Sequence, residues 1–195
     1  GDGGSMLGRL RATSPDSVLL VDPGRRRVVG SWALPLTYLH DMVMGDDGTV
    51  FAVDTDAASV MQMRVQLSLT DGMRDGALPL DSQQQVRLHQ LPRSFSTATG
   101  FGRAGAAHAN NAVPSARLLF VMHNNMARIS ELQLVDRESG FLRRSIPLGG
   151  PNCHNVLFYE HDVLYLISSR GALARLHANG SSETLWAAGP FFFTK

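Results

Sequence analysis

Along this chain the apolar positions come in short runs, four to seven residues long, and polar turn residues close each run. "SVLLVD", "TVFAVD", "RLLFVMH", "ELQLVD" and "VLYLISS" are of this kind. Runs of that length, closely spaced and rich in Val, Leu and Phe, predict short antiparallel strands. Between them lie "DPGRR", "GDDGT", "DRESG", "YEHD" and "HANGSS". Asp, Asn and Gly there supply local side-chain hydrogen bonds or positive φ, which predicts hairpin turns. Convincing 3.6-residue periodicity is absent, so the expectation is an all-β fold.

The strand pattern repeats. "LLVDPGRRRVVGSWALPLTYLH" aligns with "QLVDRESGFLRRSIPLGGPNCH", with 18 residues from Asp22 to His40 and 18 from Asp136 to His154. A third copy starts near His177 and places Lys195 in the histidine slot. After each histidine the pattern repeats again. "HDMVMGDDGTVFAVDT" aligns without a gap on "HNVLFYEHDVLYLISS", and "HANNAVPSARLLFVMHN" aligns with one inserted residue. This puts Asp54, His123 and Ser168 in one slot. His108 and His154 are 46 residues apart, whereas His40 and His108 are 68 apart. The difference of 22 residues predicts a loop insertion over residues 70–107, within the unit that starts at His40.

A repeat of 46 residues carrying four short strands is the signature of a β-propeller blade. The expected strands are 154–159, 163–168, 172–177 and 183–188 in the blade starting at His154. In the blade starting at His108 they are 109–113, 118–123, 129–136 and 141–148. Residues 17–34 are expected to be the outer two strands of an earlier blade. The 1–195 chain then reads as a single partial β-propeller of about three and a half four-stranded antiparallel blades. Three and a half blades do not close a ring. The expectation is a fragment of a six- or seven-bladed ring, or a piece completed by another copy or chain; a small β-sandwich is the alternative fold. On "HD…DGTVFAVDT" the pattern resembles the six-bladed propellers related to NHL repeats, gluconolactonases and amidating lyases. Neither a Trp-Asp repeat nor a kelch-type Gly-Gly doublet recurs at blade period.

In a blade of this kind the first strand lines the central channel. His40, His108 and His154 therefore gather at one channel mouth. Antiparallel pairing brings Asp54, His123 and Ser168 to the same height, with Asp41, Asn110, Asn111, Asn124, Asn125 and Asn155 beside them. Two readings follow. In one, His40, His108, His154, His123 and Asp54 form a metal site, since neutral imidazoles suit zinc or iron. The resemblance implies the same: amidating-lyase propellers hold a metal with channel histidines, and gluconolactonase-like ones hold calcium with carboxylate and Asn groups. In the other, each histidine hydrogen-bonds to a neighbouring blade, a joint that every blade repeats.

Composition narrows the partners. The 195 residues carry 18 basic and 17 acidic side chains, a net charge of +1. Arg25-Arg26-Arg27 and Arg143-Arg144 are short runs at turns, not the clustered basic face that nucleic acid requires. No apolar run reaches membrane-spanning length. The lone Cys153 excludes an intrachain disulfide and reads as a buried, inert thiol. His89, His161 and His177 are expected in loops. "NGS" at 179–181 is a formal glycosylation acceptor in a secreted protein. "FGRAG" at 101–105 lacks the rest of a phosphate loop, and no nucleophile elbow or dinucleotide fingerprint is present. Met42, Met44, Met61 and Met63 read as core filling. Three functions remain: a binding module taking a small-molecule ligand or protein partner at the channel mouth, a metal-dependent hydrolase or lyase there, or a structural subunit of a larger assembly.

Overall fold

A computed structural model describes residues 17–36, 38–55, 57–68, 85–96, 108–125 and 128–188. Its regular elements are strands, apart from one 3₁₀ turn at Ser168–Arg170. β1 (Ser17–Asp22) and β2 (Arg27–Ala33) form a two-stranded sheet. β3 (Leu39–Met44), β4 (Thr49–Asp54), β5 (Ser59–Ser68) and β6 (Gln85–Ser96) form the first four-stranded sheet. β7 (Ala109–Pro114), β8 (Leu118–His123), β9 (Glu131–Asp136) and β10 (Leu142–Pro147) form the second. β11 (Cys153–Tyr159), β12 (Asp162–Ile167), β13 (Ala172–Leu176) and β14 (Ser182–Ala187) form the third. Every neighbouring pair is antiparallel and consecutive in the chain. In the second and third sheets the expected strands are met to within two residues.

The sheets stand side by side through their first strands: β7 packs against β3 and β4 on one side and β11 on the other. Period-2 alternation then supplies two apolar faces per sheet. On β4, all six residues are buried. Its Phe51 and Val53 face the second sheet, joining Ala109, Ala112, Leu119 and Val121. Its Val50 and Ala52 face the other way, against Leu34 and Leu36. The same split recurs on β8, where Met122 enters a cluster with Tyr165 and Ile167 of β12. The core is therefore a series of seams between sheets. A sandwich of two facing sheets does not account for a middle sheet packed on both sides.

The loop expected over 70–107 needs correcting in part. Residues 85–96 are strand β6, paired along β5 from Ser59↔Ser96 to Ser68↔Gln85. The rest of that span, "FGRAG" included, lies outside the described residues. Leu91, Pro92 and Arg93 fall at the register shift between the Met61↔Ser94 and Met63↔Gln90 pairs. Proline has no N–H to give a ladder, and an irregular point on an outer strand is where it is tolerated. His89, expected in a loop, belongs to β6 and pairs with Arg64.

Candidate functional site: the channel mouth

Three equivalent backbone bonds close the first two strands of each sheet at the same end and so define equivalent positions in the three sheets. Thr55 N–H donates to Tyr38 O (3.0 Å), Asn124 N–H to His108 O (2.8 Å) and Ser168 N–H to Asn152 O (3.1 Å). Tyr38, His108 and Asn152 thus occupy one position, and His40, Asn110 and His154 another, two residues on. His40 and His154 are equivalent, as the sequence alignment has them. His108 is not: it stands two positions earlier and owes its place at the mouth to proximity rather than register. Leu39 pairs with Asp54, Ala109 with His123 and Cys153 with Ile167. Asp54 and His123 share a slot as expected, but Ser168 sits one residue past it.

The three histidines nevertheless converge. The His40 and His108 ring centroids are 5.3 Å apart and edge-to-face; His40 and His154 are 6.4 Å apart with an interplanar angle of 26°. Tyr38 stands edge-on to His40 at 6.1 Å. Each imidazole comes from a different sheet, and each is half-buried.

Asparagines fill the gaps between sheets. Asn110 Nδ2 lies 3.0 Å from His154 Nδ1, and Asn124 Nδ2 lies 2.9 Å from His154 Nε2. Asn110 Nδ2 also donates to Cys153 O at 2.9 Å, which fixes it as a donor and Nδ1 as the acceptor. A neutral imidazole then carries its proton on Nε2, which faces the Asn124 amide. A second chain runs just below. Asp41 Oδ2 accepts from Asn111 Nδ2 (2.7 Å), while Asn111 Oδ1 accepts from Val156 N–H (2.9 Å). Asp41, Asn111 and Val156 belong to three successive sheets. The sequence shows these asparagines beside the histidines. It carries no signal that they bridge sheets, because a bridge depends on the neighbour's position.

The remaining candidates are used elsewhere. Asp54 is buried, and its Oδ1 accepts from Tyr38 N–H and Ala57 N–H, both at 3.2 Å. It organises the turn after β4. His123 has no exposed surface, and neither ring nitrogen has a hydrogen-bond partner. Burial pushes its pKa down to about 4, against a small opposing effect of Glu131. Cys153 is a free, buried thiol, pushed up to about 11 mainly by burial, with Sγ on Gly150 O at 3.3 Å. His161 is exposed, and His177 Nε2 lies 3.3 Å from Glu183 Oε2.

A metal fits this arrangement poorly. Both nitrogens of His154 already face amides, so ligation would displace Asn110 or Asn124. Among the described residues, no group of three or more His, Cys, Asp or Glu stands ready to hold a metal ion.

Comparison of the fold with solved structures gives the β-propeller domain of Swd1 from Myceliophteria thermophila at TM-score 0.52 and 14% identity, covering 88% of this chain and 45% of that one. The fold is a partial β-propeller. A streptogramin B lyase structure matches at TM-score 0.48 and 12% identity over 78% of this chain and 42% of that one. A catalytically inactive virginiamycin B lyase from Staphylococcus aureus, bearing quinupristin, matches at 0.48 and 12% over 82% and 45%. The chain spans less than half the length of these propellers. No protein-family model and no curated protein sequence matches it. No helix among the described residues is long and apolar enough to cross a membrane.

Proposed function

We propose that the chain is a β-propeller binding module whose ligand sits at the mouth lined by His40, His108 and His154. The observation that carries this is the convergence of three imidazoles from three successive blades, with Tyr38 edge-on beside them. Half-buried rings, with the buried Asn110 and Asn124 amides behind them, offer flat apolar surface and ring nitrogens able to hydrogen-bond. That combination suits an uncharged polar ligand with a planar part, from a small molecule or a protein loop.

A second reading, a metal-dependent hydrolase or lyase, would use the same three imidazoles; it requires His154 to leave its asparagine partners before a zinc, iron or calcium ion could be held.

Imidazole NMR of the whole chain tests both, with a set of uncharged heteroaromatic amides and then with each metal ion. The expected result is a bound amide that shifts His40, His108 and His154 but not His161 or His177. Amides that shift only His161 or His177 would overturn the binding site. Stoichiometric metal that moves the three mouth imidazoles would replace it with the metal reading.

A further inference from the structure

Two hairpin turns of the molecule are built alike. Between β3 and β4, Gly45 N–H donates to Thr49 O (2.8 Å) and Gly48 N–H to Gly45 O (3.0 Å). Between β13 and β14, His177 N–H donates to Ser181 O (2.9 Å) and Gly180 N–H to His177 O (2.8 Å). Gly48 and Gly180 hold the fourth place, with φ of 74° and 89°, where a side chain would be strained. The third place carries a side chain whose Oδ1 accepts the N–H two residues on. Asp47 accepts from Thr49 at 3.1 Å, and Asn179 from Ser181 at 2.9 Å. Each turn also lies against an arginine of the second blade. Arg137 Nη2 pairs with Asp47 Oδ2 at 2.7 Å. A Cβ built on Gly180 would stand 3.4 Å from Arg144 Nη2. Asn179 is thus the neutral counterpart of Asp47, set near a guanidinium.

The Asn179 turn also gathers the parts needed to convert that amide to an acid. The side-chain carbon Cγ is the electrophile. The next backbone nitrogen, Gly180 N, can close a five-membered ring on it, and glycine puts no Cβ in its way. Oδ1, where negative charge develops, already accepts from two donors, Ser181 N–H and Ser181 Oγ–H, the latter at 2.7 Å. Donors placed where an oxyanion forms lower the barrier to acyl transfer. Asn179 and Ser181 are exposed, so water and hydroxide reach them. The bond from Gly180 N–H to His177 O must open for the attack, as bonds of an exposed turn do locally.

We propose that Asn179 is a modification site that deamidates spontaneously through a cyclic imide. Hydroxide takes the Gly180 N–H proton, Gly180 N bonds to Asn179 Cγ, and the side-chain nitrogen leaves with a proton as ammonia. Water then opens the imide at either carbonyl, giving an aspartate or an isoaspartate. Water is consumed, ammonia is released, and nothing is oxidised or reduced. The aspartate product sets a carboxylate near Arg144, the arrangement that Asp47 and Arg137 already have between the first and second blades. The site is independent of what the channel mouth binds.

Peptide mapping by mass spectrometry, on the whole chain held folded at mildly alkaline pH, reads the conversion residue by residue. The expected result is that Asn179 converts faster than any other asparagine of the chain. Ser181→Ala should slow it by roughly 10-fold, less than a donor in an enclosed enzyme site supplies. In urea, where the turn is lost, the same substitution should leave the rate unchanged. An Asn179 that stays an amide in the folded chain would overturn the proposal. So would a Ser181→Ala chain that converts as fast as the parent, or one slowed equally in urea, which would trace the effect to local sequence and not to the turn.

Discussion

The seams between blades and the mouth of the channel are built from the same strands, yet they obey different rules. At the seams, equivalent positions keep one chemical character: Phe51 and Phe120, Val53 and Met122, Ala52 and Val121 each face the same way in successive blades. At the mouth, equivalent positions change character. Tyr38, His108 and Asn152 share one position, and His40, Asn110 and His154 another. Repeated chemistry is what packing demands, because each blade must bury the same faces. Varied chemistry at a geometrically fixed place is what recognition of a particular partner demands. The contrast places the fold energy in the seams, and it is what the proposed binding role of the mouth would require.

The comparison breaks most readily at a seam. Phe51 is fully buried and also lies under the Arg137 guanidinium, 5.1 Å from its ring centroid. Phe51→Ala should cost about 3–5 kcal/mol of unfolding free energy through lost transfer and cavity formation, read from urea melts. If it costs no more than a mouth substitution, the seams are not where the stability lies.

Acid should open the first seam next. The folded-state pKa of His123, about 4, lies below the unfolded value of 6.5. The folded state therefore disfavours the proton, and stability is whole above pH 6.5. It is lost as pH falls through 6.5 toward 4, by up to about 3 kcal/mol. His123→Leu should remove this component from the pH dependence of the urea midpoint. The carboxyl of Asp136 is also held down, chiefly by Ser139 N–H and then by Arg143, so its contribution is lost only at lower pH. The two steps are separable in the same pH series.

A smaller effect is expected where blades are tied at their outer turns. Arg137 Nη2 meets Asp47 Oδ2 at 2.7 Å, and its Nη1 donates to Ser115 O at 2.6 Å. Arg137→Met keeps the stem over Phe51 and removes the polar ties. It should cost about 1–2 kcal/mol, since the bond to Ser115 O and the partly solvated pair with Asp47 are lost. The smallest effect is expected at the mouth itself: His40→Ala should change the same urea midpoint by less than about 1 kcal/mol.

Much of the seam architecture is legible in the sequence, because it depends on period-2 alternation alone. "TVFAVD" and "LLFVMH" announce middle strands with two apolar faces. β6 is hidden by the extra length before it and by Pro92, which an alternation scan reads as loop. The mouth is legible only in part. His40 and His154 align because both stand second on an inner strand. His108 misaligns because it stands two positions before Asn110, which holds the equivalent position. Ser168 misaligns by one because the β11–β12 hairpin, from Cys153 to its partner Ile167, is a residue shorter than the β3–β4 hairpin, from Leu39 to its partner Asp54. The Asn110 and Asn124 contacts to His154 leave no sequence trace, since they depend on two blades meeting.

Urea unfolding of a His40→Ala/His108→Ala double variant, run beside Phe51→Ala and the parent chain, tests the division between seam and mouth most directly. The account predicts that the double variant unfolds within about 1 kcal/mol of the parent while Phe51→Ala falls by at least about 3 kcal/mol. A double variant as unstable as Phe51→Ala would contradict it and make the imidazoles joints between blades.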